Sequence, residues 1–124
     1  MTMAVSGAWP VELRLKRGAR TLAVTFDDGT MAELPAELLR VESPSAEVRG
    51  HGASTKITVP GKRNVAIVAV EPIGNYAVRL RFDDGHDTGI YSWDLLWQMG
   101  RDKDALMSAY EKALAGKGLS RDAP

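Results

Sequence analysis

The stretch FDDGHDTGIYSWDLLW, Phe82 to Trp97, decides how this chain is read. Its carboxylates cluster beside His86, one of only two histidines in the chain, as they would at a metal or catalytic site. It also contains Asp84-Gly85, the dipeptide of a tight hairpin turn in which glycine takes a positive φ. Beyond the turn, a short strand is expected near Ile90-Tyr91. Ser92 then stands where an N-cap belongs, and Asp94 lies in the first helical turn, where negative charge suits the helix dipole. Trp93, Leu96, Trp97 and Gly100 fall at i, i+3, i+4 and i+7, one face of a helix running to about Met99, so both tryptophans are expected in the core. The segment therefore accounts for itself as strand, turn and capped helix.

FDDG also occurs at Phe26–Gly29, 56 residues earlier. Each copy follows an alternating strand and precedes a Leu-Leu pair, Leu38-Leu39 and Leu95-Leu96. An internal strand-turn-helix repeat and the chance recurrence of a common hairpin turn both remain open. In either case Asp27 and Asp28 occupy the same turn with no histidine beside them, which weakens a catalytic reading of Asp83 and Asp84. Val11–Leu15 and Thr21–Phe26 alternate apolar and polar residues as an antiparallel hairpin turning near Gly18. Leu34–Leu39 reads as a short helix with Pro35 in its first turn. Ser43–Gly61 is loop-like, interrupted by a short strand at Lys56–Val59.

The β-branched run VAIVAV makes Asn64–Glu71 a central strand by expectation. Pro72-Ile73-Gly74-Asn75 is expected to turn the chain, and Tyr76–Phe82 to return it. Asp102 reads as the N-cap of a last helix, Lys103–Ala115, ended by Gly116. The expected fold class is α+β: a small single domain of antiparallel strands and hairpins with short helices and a C-terminal helix. Residues 1–9 are expected as a flexible N-terminus, 10–116 as the domain, and 117–124 as a disordered tail.

A chain of 124 residues fits one domain with a real core. Its 16 basic and 16 acidic residues leave no net field to favour nucleic acid or a membrane surface. The absence of cysteine removes disulfides, thiolate nucleophiles and Cys-ligated metal. With no signal-peptide pattern and no long apolar run, a cytoplasmic location is expected, with neither membrane nor nucleic acid as partner. No GxSxG elbow, P-loop or HExxH pattern occurs, so no catalytic residues are assigned and the chain is not expected to be an enzyme. A metal reading would use His86 with Asp87 and His51, holding a single zinc or iron ion. Lys62, Arg63, His86 and Asp87 are the candidate partner-contact residues.

Three ordered segments carry a family resemblance: LLRVESPSAEVRGHG (Leu38–Gly52), VPGKRNV (Val59–Val65) and AVEPIGNYAVRLRFDDGHDTGIYSWDLLWQMG (Ala69–Gly100). Together they resemble the DUF971 family, the gamma-butyrobetaine hydroxylase-like N-terminal domain, in a free-standing bacterial form, over about Pro10 to Gly100. In that family the domain precedes an iron and 2-oxoglutarate hydroxylase domain, or is attached to Mrp-type ATPases linked to iron–sulfur assembly. The hydroxylases hold a structural zinc with three Cys and one His. The resemblance places those positions on Ser43, Ser45, Val48 and His86, so only His86 is retained. It therefore implies a fold closed without zinc or other cofactor, His86 hydrogen-bonding to the Ser43–Ser45 loop. It also implies that oxygenase chemistry lies in a domain absent here. What it implies for function is a non-catalytic accessory or protein-interaction module with an unknown protein partner, associated with iron–sulfur or iron-dependent enzymes. The alternative is the metal-binding protein using His86, Asp87 and His51.

Overall fold

The computed structural model describes residues 8–45 and 56–122. Strands β1 (Pro10–Lys16), β2 (Thr21–Phe26) and β3 (Met31–Pro35) form one antiparallel sheet in the order β1-β2-β3, followed by helix α1 (Ala36–Val41). Strands β4 (Ile67–Ile73), β5 (Ala77–Phe82) and β6 (Gly89–Ser92) form a second, β4-β5-β6, followed by α2 (Trp93–Arg101) and α3 (Lys103–Gly116). The period of two puts Leu22, Val24 and Phe26 of β2 on one face, and Val78, Leu80 and Phe82 of β5 on another. All six are buried in one apolar cluster with Leu34, Leu38, Leu39, Tyr91 and Leu96. The outer face of the first sheet carries ion pairs instead, Lys16–Glu33 at 2.9 Å and Arg14–Glu12 at 3.0 Å.

The two halves repeat the same set of turn bonds. Asp27 N–H donates to Trp9 O while Trp9 N–H donates to Asp27 Oδ1; Asp83 and Ala66 make the same reciprocal pair. Thr30 N–H donates to Asp28 Oδ1 at 2.8 Å, and His86 N–H to Asp84 Oδ1 at 3.0 Å. Both first strands are bulged at the same place, between Pro10 and Glu12 and between Ile67 and Ala69. The first Asp of each DDG thus clamps a neighbouring strand and the second closes the turn. Gly29 (φ 88°) and Gly85 (φ 92°) supply the left-handed residue the turn requires. The repeat is structural, and chance recurrence is set aside.

Several expectations are corrected. Met31–Pro35 is a strand, so the helix begins at Ala36: Leu34 pairs with Leu22 and is fully buried, and that packing overrides local helix preference. The VAIVAV run contributes to an edge strand, and β5 is the central one; Val68 is 57 % exposed at the bulge. Pro72 and Ile73 continue β4, and the turn is Gly74–Tyr76. Residues 56–59 are irregular rather than a strand. Ser92 caps α2 as expected, its Oγ accepting from Leu95 N–H at 3.1 Å. Asp102 occupies the N-cap position of α3 without capping it, because both its oxygens take the Arg101 guanidinium. Helix α3 runs through Gly116 with Lys117 as C-cap, and the left-handed residue beyond it is Gly118 (φ 67°).

The chain beyond α3 is not a loose tail through residue 122. Gly61 N–H donates to Ser120 O, Arg63 N–H donates to Arg121 O, and Arg121 grips the buried Glu37 carboxylate with two bonds of 2.6 and 2.8 Å. At the other end Ala8 is buried and Trp9 is tied to Asp27, so residues 8 and 9 are held to the domain. Leu96 and Met99 form the buried face of α2, while Trp93 and Trp97 are half-buried at its rim. A Cβ on Gly100 would stand 2.6 Å from Ala32 Cβ, which is how closely α2 lies on β3.

Candidate functional site

The repeat creates two equivalent junctions, each where one half's helix meets the other half's turn. At the first, Trp97 of α2 reaches Asp28 and Arg101 stacks on the Trp97 ring at 5.4 Å. At the second, Arg40 of α1, the counterpart of Trp97, reaches Asp84 with Nε to Oδ2 at 2.7 Å. The first junction is closed by Gly100 against Ala32. The second is closed by Ser43 against Gly89, where an added Cβ would lie 2.6 Å from Ser43 Oγ. Among the described residues, the second of the two junctions carries a buried polar cluster and the first does not.

That cluster is His86, Ser43 and Ser45. His86 is 6 % exposed and Ser43 not at all. Nε2 of His86 lies 2.9 Å from Ser43 Oγ and 3.3 Å from Ser45 Oγ, and Ser43 Oγ donates to Ser45 Oγ at 3.2 Å. The bond expected between His86 and the Ser43–Ser45 loop is therefore present. The DDG turn positions His86, because its N–H is held by Asp84 and its carbonyl accepts from Phe82 N–H. The Phe82 and His86 rings lie 6.1 Å apart, and Tyr91 beneath the cluster donates its hydroxyl to Leu39 O. Nothing local signals the Tyr91 anchor, since 52 residues separate the partners.

Asp84 faces two cations. Lys62 Nζ lies 2.6 Å from the same Oδ2 that Arg40 bonds. Burial pushes the carboxyl up, but hydrogen bonds from Lys62, the His86 N–H and Arg40 outweigh it and hold its pKa at about 2. Arg40 Nη1 is buried with no hydrogen-bond partner among the described residues. An open cleft of about 290 Å³ lies beside this group, lined by Gly61, Lys62, Asn64, Val65, Asp83 and Asp84. Of the other candidate contact residues, Arg63 pairs with Asp122 at 2.5 Å and Asp87 is exposed. His51 and Val48 lie outside the described residues. Sequence reasoning passed over Arg40, although the segment LLRVESP contains it, because nothing local indicates a partner 44 residues away.

The donor set at this junction is not that of a zinc site. Two neutral hydroxyls and one imidazole converge, whereas zinc is held by thiolates, imidazoles and carboxylates. Among the described residues no three His, Cys, Asp or Glu side chains group to hold a metal ion, and Asp84 is committed to Arg40 and Lys62. The described residues at this junction do not fit the metal.

Residues 13–97 match the family described as gamma-butyrobetaine hydroxylase-like, N-terminal. The chain belongs to that family. The gamma-butyrobetaine hydroxylase-like fold is also seen in two related proteins solved by solution NMR. One is 45 % identical, with a TM-score of 0.80, over 93 % of this chain and 90 % of its own. The other is 46 % identical, with a TM-score of 0.82, over 98 % and 90 %. A crystal structure of a protein of unknown function from Acidithiobacillus ferrooxidans, belonging to the DUF971 family, is 40 % identical with a TM-score of 0.61, covering 73 % of this chain and 91 % of that one. Among curated proteins none matches. Among the described residues no helix is long and apolar enough to cross a membrane.

Proposed function

We propose that this protein is a non-catalytic accessory module that binds a protein partner through the polar junction between α1 and the second DDG turn, and that it works in the cytoplasm. The observation that carries the reading is the asymmetry between the two junctions. The same backbone clamp is built twice, yet one copy is closed by glycine against alanine. The other gathers Ser43, Ser45, His86, Arg40, Asp84 and Lys62. The buried members bond one another, so Ser43 and His86, though 2.9 Å apart, offer no face to a substrate and do not act as nucleophile and base. What this junction presents outward is an open cleft lined by Lys62, Asn64, Asp83 and Asp84, with the exposed Arg63 and Asp87 next in the chain to Lys62 and His86, which suits a polar protein surface better than a small molecule. Association with iron–sulfur or iron-dependent enzymes is the partner class that the family's company suggests.

The test is quantitative capture from native lysate with the wild type and an Arg63→Glu/Asp87→Lys variant, both purified and shown to melt alike. A partner held at near-stoichiometric yield by the wild type and depleted at least about tenfold by the variant supports the reading. Equal capture by both proteins, or none by either, refutes it. Elemental analysis of the same preparations addresses the metal. Zinc or iron near one equivalent per chain, lost on His86→Ala, would replace the proposal with the metal-binding alternative.

A further inference from the structure

Two three-stranded sheets have four edges, and three of them are blunted. On β3, Lys103 Nζ donates to the Glu33 carbonyl and Pro35 has no N–H to offer. On β4, Ile67 N–H is taken by Ala19 O at 2.8 Å, and Pro72 sits within the strand. On β6 there are only four residues. β1 is seven residues long, and among the described residues no other strand pairs with its second edge.

The direction of its backbone groups follows from the ladder. Arg20 O accepts from Ala36 N–H, and Phe26 N–H donates to Thr30 O, so the even-numbered residues of β2 face β3 and the odd-numbered ones face β1. Thr21, Ala23 and Thr25 pair with Lys16, Arg14 and Glu12. Alternation then turns the N–H and C=O of Leu13 and Leu15 outward. The sequence around Leu13 is Val11-Glu12-Leu13-Arg14-Leu15, with Val11 64 % and Leu15 38 % exposed. A two-fold axis through Leu13 would set a second copy antiparallel, with Leu13 opposite Leu13 in a hydrogen-bonded pair. Glu12 would then face Arg14, and Val11 would face Leu15. Charge meets opposite charge and apolar meets apolar, and Glu12 and Arg14, now paired with each other at 3.0 Å, would exchange partners across the axis.

We propose that the β1 edge docks a second copy of this chain, antiparallel about Leu13, joining two three-stranded sheets into one of six strands. The proposal is independent of the partner site at the polar junction. The pairing is a small one and belongs with weak, concentration-dependent associations.

Sedimentation velocity on the full chain from about 10 µM to about 1 mM tests it. The wild type is expected to show a monomer–dimer equilibrium in that range. Glu12→Arg sets Arg opposite Arg twice and is expected to raise the dimer Kd about tenfold. Glu12→Arg/Arg14→Glu restores complementarity and is expected to return Kd to within about threefold of the wild type. Leu13→Pro removes an outward donor without touching the β2 ladder and should leave a folded monomer by circular dichroism. If Leu13→Pro fails to fold, the charge swap still decides. Hydrogen exchange at the Leu13 and Leu15 amides should slow as concentration rises. A wild type that stays monomeric to about 1 mM overturns the proposal. So does a dimer whose Kd Glu12→Arg leaves unchanged, or one that the double swap fails to restore.

Discussion

Arg121→Ala gives the sharpest test of how the chain closes, because a single side chain from beyond α3 is made responsible for a buried charge. Glu37 is 4 % exposed on α1, and Arg121 meets both of its oxygens, Nε at 2.8 Å and Nη2 at 2.6 Å. A charge-assisted bond contributes about 1.5–3 kcal/mol, and two parallel bonds from one guanidinium share part of that. Arg121 keeps 26 % of its side-chain surface, so water replaces some of what is lost, and the deletion is expected to cost about 2–3 kcal/mol. For a chain of this size that is a fall in Tm of roughly 8–12 °C. The assay is urea and thermal unfolding at pH 7, followed by tryptophan fluorescence, of four proteins: wild type, Arg121→Ala, Glu37→Gln and the double variant. With Gln at position 37 no buried charge is left stranded, so Arg121→Ala should then cost less than about 1 kcal/mol. Loss of less than about 0.5 kcal/mol in the wild-type background would show that residues 117–122 are not docked and refute the reasoning.

Asp84 sets an acid limit. Its pKa is depressed to about 2, so its contribution is complete above the ordinary carboxylate value near 4 and is lost as pH falls towards 2. After solvent screening that contribution is about 1–2 kcal/mol, and Asp84→Asn should remove it at pH 7 and flatten the stability profile between about pH 4 and 2. An unchanged profile would place the carboxylate outside the Arg40–Lys62 pair. His86→Asn keeps a polar group near Ser43 and Ser45 and should cost about 1 kcal/mol, whereas His86→Ala leaves a void and unpaired hydroxyls and should cost about 2–3 kcal/mol by urea titration. Equal losses would mean the imidazole bonds contribute nothing. Trp97→Ala is expected to cost about 1–3 kcal/mol, less than a fully buried tryptophan, because the ring is half-buried at the rim of α2. Gly100→Val should be as damaging as losing that indole, since its Cβ has no room against Ala32. If Gly100→Val melts like the wild type, the close packing of α2 on β3 is wrong.

The sequence by itself determined the strands with strong alternation, the DDG turns, the Ser92 cap and the family, because each rests on residues close together in the chain. Period two, a glycine at positive φ and a hydroxyl before a helix are local chemistry. It also contained the repeat, but FDDG alone could not separate a repeated structural unit from the chance recurrence of a common turn. The reciprocal Asp27–Trp9 and Asp83–Ala66 clamps separated them. Tertiary structure alone decided that Met31–Pro35 is a strand, since Leu34 is buried by pairing with Leu22 rather than by any helical period. It decided that the apolar VAIVAV run lies at an edge, where the β1–β2 turn takes the Ile67 N–H and the bulge leaves Val68 exposed. It decided which face of α2 is core, because Trp93 and Trp97 share a stripe with Leu96 but only Leu96 and Met99 meet the sheets fully. The bonds that bring the polar junction together across the fold join residues more than 20 apart, Lys62 to Asp84, Arg40 to Asp84 and Ser43 to His86. Local periodicity carries no information about such pairs; the packing of one half's helix on the other half's turn creates them.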